Sequence, residues 1–168
     1  ETDRLVEVFT TSLPFDMRLY DHDIEGSVAH CRMLEKQGII PPADAGKILE
    51  TLAEIRTEIG SGAFRFVQTD EDIHMAVERG LIERIGPAGG KVHTGRSRND
   101  QVSLDMRLYL RDEIGEILKL VAGLQKTFVA LARRELDTIM PGYTHMQKAQ
   151  PVLLSHYLLA FREMLGRD

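Results

Sequence analysis

The chain has 168 residues, 43% of them hydrophobic, a formal charge of −5 and one cysteine. This composition supports a buried core, and the acidic balance lacks the basic excess that displaces counterions from a phosphate backbone, so neither disorder nor a nucleic-acid partner is expected. Cys31 alone excludes an internal disulfide, no apolar run reaches membrane-spanning length, and Glu1-Thr2-Asp3-Arg4 does not open a signal peptide, so the expected setting is cytoplasmic with no membrane association.

Residues 1–18 follow no period and are expected to form an irregular arm, with Leu13-Pro14-Phe15 as its apolar anchor. From Leu19 to Gln37, Ile24, Val28, Cys31 and Leu34 recur at three and four, which is one face of a helix. Gly38 with Ile39 and Ile40 suits a glycine cap, and Pro41-Pro42 blocks continuation. A second helix is expected from about Pro42 to Ile59 on the stripe Ala45, Ile48, Leu49, Leu52, Ile55 and Ile59, with Gly60-Ser61-Gly62 as its end. Thr69 is expected to cap a third helix whose first turn holds Asp70, Glu71 and Asp72, with Ile73, Val77, Leu81 and Ile85 on its buried face. Gly86-Pro87 stops it. Gly86 to Gly95 holds four glycines in ten residues. It is expected to be a domain boundary and flexible connector, or a loop around a ligand.

Beyond Asn99-Asp100 the pattern changes. Leu110, Ile114, Ile117, Val121, Leu124, Phe128 and Leu131 alternate in steps of four and three, a period of 3.5 that fits a helix packed lengthwise in a bundle from about Gln101 to Glu135. Pro141 to Pro151 reads as a polar loop, and Val152 to Leu165 as a further helix with little polar face. The fold class expected is all-α, with residues 1–95 as a helical amino-terminal domain and 96–168 as the opening of a central helix-bundle domain. Neither late helix can bury its apolar surface within this chain, so oligomerisation, further bundle helices, or both are expected. Helix pattern persists to the last residues, so the chain is expected to continue.

Several constellations carry chemistry. Gly86-Pro87-Ala88-Gly89-Gly90-Lys91 falls one residue short of the nucleotide P-loop spacing and lacks the Ser or Thr after lysine, so it is read as a connector. The six histidines show no His-Glu-x-x-His spacing and no cysteine pairs, so no metal is expected, and His30 and His156 read as packing or hydrogen-bonding residues. Arg96, Arg98 and Asn99 at a helix start combine guanidinium forks, an amide and free backbone N–H groups, all suited to an anion; the alternative is a solvated basic turn capped by Asn99 or Asp100. Thr144-His145 places a hydroxyl beside an imidazole, a pair that serves proton transfer or merely loop structure.

Four stretches together resemble a known family: Asp23-Ile24-Glu25-Gly26-Ser27, Asp70-Glu71-Asp72-Ile73-His74, His93-Thr94-Gly95-Arg96-Ser97-Arg98-Asn99-Asp100-Gln101, and Gly142-Tyr143-Thr144-His145-Met146-Gln147 through Gln150-Pro151. In order and over nearly the whole chain they are similar to the argininosuccinate lyases of the aspartase/fumarase superfamily. The resemblance implies reversible elimination of argininosuccinate to arginine and fumarate in arginine biosynthesis, with no cofactor. It implies His145 as the catalytic proton-transfer residue, as acid or as base; Ser27, Arg98, Asn99 and Thr144 as substrate-binding residues; and Asp72 and His74 as second-tier site residues with capping or packing as the alternative. It also implies a homotetramer whose active sites are shared between subunits, and a serine-bearing loop in a carboxy-terminal half beyond these residues, without which the chain is expected to be inactive. Two other uses of the fold stay open: a crystallin-like structural protein, and another fumarate-releasing lyase of the superfamily, such as one acting on adenylosuccinate.

Overall fold

The computed structural model describes residues 4–67 and 69–168. Residues 1–3, part of the stretch read for a signal peptide, lie outside the described residues. The chain divides into two units, Glu1–Leu110 and Arg111–Asp168.

In the first unit, apolar stripes at helical spacing set the core. Helix α3 (Tyr20–Lys36) contributes Ile24, Cys31 and Leu34; α4 (Pro42–Ser61) contributes Ala45, Ile48, Leu52 and Ile55; α5 (Ile73–Ile85) contributes Ile73, Ala76, Val77 and Leu81. All are buried, and each large aliphatic side chain among them stabilises the unit by ~1.5–3 kcal/mol relative to exposure. Gly38 (φ 68°) ends α3 as expected: its N–H donates to the Glu35 carbonyl and the Ile39 N–H to the Leu34 carbonyl, both at 2.9 Å. Pro42 sits in the first turn of α4, where its missing N–H costs nothing.

Three expectations for this unit need correction. The amino-terminal stretch is helical: α1 (Arg4–Thr10), α2 (Leu13–Asp16) and a 3-10 turn (Met17–Leu19). The backbone N–H groups of Ser12 and Leu13 both donate to the Glu71 carbonyl, which ties α2 to the entry of α5. Leu13 packs against the core, whereas Phe15 is 73% exposed and anchors nothing. Thr69 does not cap α5. Asp72 does so, its carboxylate accepting from the Met75 N–H at 2.6 Å. Asp70 is drawn away from the helix start because its buried carboxylate accepts from the Arg79 guanidinium at 2.8 and 2.9 Å and from the Val67 N–H at 2.9 Å. Third, Gly86–His93 is a 3-10 segment packed on α5, not a flexible connector. A Cβ at Gly89 would stand 2.7 Å from the Leu81 carbonyl carbon and 2.8 Å from the Ile82 nitrogen, so glycine permits this close approach.

Helix α6 (Arg98–Arg134) runs for 37 residues and enters the second unit. The seam residues Leu110, Ile114, Ile117 and Leu124 remain about half exposed. The second unit continues with β1 (Ile139–Thr144), β2 (Gln147–Leu153) and α7 (Leu154–Arg167). Here the polar loop expected from Pro141 to Pro151 is instead an antiparallel hairpin, with Ile139 opposite Leu153 and Thr144 opposite Gln147. Pro141 and Pro151 face each other in it, tolerated because both strands are edges. The register shifts between Pro141 and Tyr143, where β2 carries one extra residue. Gly142 is needed at that irregularity, since a Cβ there would lie 2.7 Å from the Gln150 carbonyl oxygen. Phe161 stacks on Phe128 at a centroid distance of 5.8 Å and meets Tyr157 edge-on at 5.1 Å, fixing α7 against α6 within the unit. The helical class thus holds, with one small hairpin added.

Candidate functional site

Helix periodicity places the polar residues of the first unit in pairs. On α3, Asp23 and Ser27 lie four apart on one face; on α6, Gln101 and Asp105 do the same. Gly26 lets these faces meet, because a Cβ there would approach Leu104 Cδ2 to 3.0 Å. The turn before α6 is held by a reciprocal cap: the Ser97 N–H donates to Asp100 Oδ2 at 2.7 Å and the Asn99 N–H to Ser97 Oγ at 3.2 Å. Ser97 therefore caps the helix with Asp100 as its reciprocal partner, while Asn99, the other cap considered from the sequence, keeps an exposed side chain.

Around this turn the structure gathers most of the predicted site residues. Arg96, its side chain only 6% exposed, donates from Nη1 to Ser27 Oγ at 3.0 Å. Arg98 is partly exposed; its Nε lies 3.2 Å from Asp72 Oδ2, and its Nη1 donates to Gln101 Oε1 at 2.9 Å. Asp72 thus serves both as helix cap and as partner to Arg98. Below them, Gln101 Nε2 donates to Asp23 Oδ1 at 2.6 Å, and His74 Nδ1 lies 2.9 Å from the same oxygen and 3.3 Å from Asp105 Oδ2. His30, from the adjacent turn of α3, donates from Nε2 to the Thr94 carbonyl at 2.8 Å, steadying the approach to Arg96.

The electrostatics of this buried group are set by one histidine between two carboxyls. Burial opposes charge on His74, but its hydrogen bond to Asp23 and the nearby charges of Asp23, Asp105 and Asp72 outweigh it, so His74 holds its proton above the usual histidine range. Burial likewise pushes Asp23 up, yet the bond to His74, the His74 charge and the Gln101 amide leave it below the ordinary carboxylate value. Asp105 goes the other way: burial, then the Asp23 charge, push it up to about 7. As a carboxylate it would leave both its oxygens, and Asp23 Oδ2, without a hydrogen-bond partner. As a neutral acid it donates one proton to Asp23, which gives a partner to Asp23 Oδ2 and to one Asp105 oxygen and removes the charge from the other. Asp23, His74 and Asp105 also bring three potential metal-ligand atoms within 4.8 Å. Arg96 supplies positive charge there, as does His74 whenever it holds its favoured proton. A cavity of about 10 Å³, on the scale of one water, touches Asp23, Ser27, His74, Arg96 and Gln101. A second cavity, of about 600 Å³, is lined by α6 and α7 residues such as Val129, Arg133 and Arg162 and contains none of the predicted site residues.

Thr144 and His145 belong to the second unit. Thr144 closes the hairpin opposite Gln147, and His145 and Met146 form its two-residue turn at φ 50° and 60°. Both turn residues thus adopt left-handed backbone without being glycine, and the imidazole is exposed at the tip with no hydrogen bond or ion pair among the described residues. Ser27, Arg98, Asp72 and His74 meet in the first unit, with Asn99 on the same turn. No motif in the sequence marks Asp105, and Asp23 and Gln101 stand out only as parts of motifs. The four-residue spacings of Asp23 with Ser27 and of Gln101 with Asp105 were the available signal.

The chain as a whole is similar to known proteins. The chain is 62% identical over 167 residues to the argininosuccinate lyase of Syntrophus aciditrophicus and 57% identical over 166 residues to that of Symbiobacterium thermophilum. Each alignment covers 99% of this chain but only 35% and 36% of the relative, so the chain spans about a third of their length. Among solved structures, an EDDS lyase in complex with formate superposes with a TM-score of 0.76 at 34% identity, covering 89% of this chain and 29% of that one. A family profile described as "Lyase" matches residues 1–168, and the chain belongs to that family.

Proposed function

We propose that the chain is the amino-terminal portion of an argininosuccinate lyase, which reversibly cleaves argininosuccinate to arginine and fumarate. The observation that carries this reading is the 62% identity to a protein of that name across almost every residue of the chain. The exposed side of Arg98 beside Asn99 gives the reading a physical counterpart, a guanidinium and an amide at a helix amino end where a carboxylate binds well.

The reaction is an elimination. A base removes a proton from the carbon next to one succinyl carboxylate, and negative charge spreads onto that carboxylate. The neighbouring carbon–nitrogen bond then breaks with its electron pair on the guanidinium nitrogen, which takes a proton and leaves as arginine, while fumarate remains. Arg98, Asn99 and Ser27 bind the substrate's anionic groups, and Thr144 adds a hydroxyl. His145 moves a proton at the imidazole. Its exposed position at a hairpin tip, with no partner among the described residues to orient it, accords with a site completed by further residues. Asp72 and His74 stand behind Arg98. The working enzyme is a cytoplasmic homotetramer with shared active sites and no cofactor, residues 1–95 forming an amino-terminal domain and 96–168 the opening of a central bundle.

The full-length polypeptide tests the reading directly. It should release fumarate from argininosuccinate, followed by ultraviolet absorbance, and argininosuccinate should raise its thermal midpoint more than adenylosuccinate does. A folded full-length protein that turns over adenylosuccinate but not argininosuccinate would overturn it. The 168-residue chain alone should show no turnover.

A further inference from the structure

Arg98 on the exposed turn and the residues buried beneath it form one series of contacts. Arg98 donates to Gln101, Gln101 to Asp23, and Asp23 shares His74 with Asp105. The links join three helices: Gln101 and Asp105 on α6, Asp23 on α3 and His74 on α5. Gln101 is 6% exposed and Asp105 0%, so neither is placed to touch a ligand. Burying an amide and two carboxyls is unfavourable unless each finds a partner, and apolar side chains would fill the space at lower cost. A buried polar network that is satisfied fixes geometry more tightly than apolar packing does.

We propose that Gln101 and Asp105 are positioning residues that act through the Asp23–His74 pair to hold the Arg98 guanidinium oriented toward an anionic substrate. The inference rests on the proposed function for the identity of that substrate, but the orientation of Arg98 can be read without it. Gln101 hydrogen-bonds both Arg98 and the buried group, and its two ends are used oppositely, the oxygen accepting from Arg98 and the nitrogen donating to Asp23. Methionine has the same length and neither function. Asp105 is faced by Asp23 from α3, by His74 from α5 and by Arg96 from the turn before α6, while Asp72, the cap of α5, acts on His74. When the proton shared by Asp105 and Asp23 leaves, the two carboxylates repel and the anchor of Gln101 loosens. Asparagine at position 105 keeps a donor for Asp23 at every pH.

The test uses the full-length protein. Gln101→Met should raise KM for argininosuccinate about 10-fold while kcat changes less than about 3-fold, the signature of lost substrate binding rather than lost chemistry. Its crystal structure should show the Arg98 side chain departed from its place against Asp72. In the parent protein KM should rise several-fold between about pH 6 and pH 8, and Asp105→Asn should flatten that profile while keeping KM near the parent value at the lower pH. Folding that is merely weakened would lower the melting midpoint without moving the profile. Parent-like KM in Gln101→Met together with an unmoved Arg98, or an unaltered pH profile in Asp105→Asn, overturns the proposal. If the parent protein lacks turnover with argininosuccinate, the functional reading fails, and the position of Arg98 in Gln101→Met still decides the positioning role. Should Gln101→Met not fold, the Asp105→Asn profile decides it.

Discussion

Replacing Gly89 by alanine tests how the glycine-rich segment is held. The new Cβ would stand 2.7 Å from the Leu81 carbonyl carbon, 2.8 Å from the Ile82 nitrogen and 3.0 Å from Leu81 Cβ. Ordinary contact between such atoms begins near ~3.5 Å, so the segment must lift from α5 by roughly 0.7 Å. Two of the three neighbours are helix backbone and cannot rotate aside. The cost therefore belongs at the upper end of the overpacking range, ~3 kcal/mol, equivalent to a fall of ~10 °C in melting midpoint for a unit of this size. Gly90→Ala is the control, since its Cβ would meet nothing nearer than Ile82 Cδ1 at 4.0 Å. Differential scanning calorimetry of both variants in the full-length protein, at one protein concentration, makes the comparison. Because the segment leads through Thr94 to Arg96, Gly89→Ala should also weaken substrate binding. A midpoint within ~2 °C of the parent, or equal losses in the two variants, would refute the close-approach reasoning.

Other outcomes follow from the same geometry. His145→Asn in the full-length protein should remove most fumarate release while size-exclusion chromatography shows an unchanged oligomer; near-parent turnover would exclude His145 from proton transfer. Gly142→Ala should disturb the hairpin through contact with the Gln150 carbonyl and cost ~1–3 kcal/mol, read as a lower unfolding midpoint in urea; an unchanged midpoint would discount that contact. For Asp105, the folded-state value of about 7 exceeds the ordinary 3.8, so the folded protein binds the proton more tightly than the unfolded chain. Its contribution to stability is complete below 3.8 and declines as pH rises toward about 7. His74, also raised, loses its contribution in the same rising direction above 6.5, until the pH passes its folded-state value. Asp105→Asn should remove the Asp105 part of this slope in melting midpoints measured from pH 4 to pH 8; an identical slope would place the proton elsewhere.

The parts of the fold that sequence exposes are those governed by local period. The stripes of α3, α4 and α5 and the glycine cap at Gly38 depend on residues within one or two turns of each other, and each lies where expected. The hairpin was hidden because Pro141, Gly142 and Pro151 are loop formers by local preference, and only pairing across the two strands makes them strand residues. Its turn also lacks the Asn-Gly signal that marks such hairpins. At the site, residue type alone pointed to Arg98 and Asn99 as anion binders. The buried group resisted reading because its bonds cross the chain: His74 reaches Asp23 over 51 residues, and Gln101 reaches the same carboxyl over 78. Asp70, Glu71 and Asp72 show the limit of composition, since three adjacent acids take three different roles once Arg79 and the Met75 N–H select among them.

The turn at His145 and Met146 has a consequence for protein engineering. A two-residue hairpin turn with both residues left-handed is most comfortable as Asn-Gly, and a non-glycine residue there carries strain of about 1 kcal/mol. A consensus-minded designer seeking a more heat-resistant protein would choose this place early. The change would relax the backbone and erase the imidazole in one step, so a screen on melting temperature alone would select against the residue proposed to move a proton. Met146→Gly separates the two effects, relieving half of the turn while leaving His145 in place. It offers a direct way to learn how much the left-handed backbone itself contributes to presenting the ring.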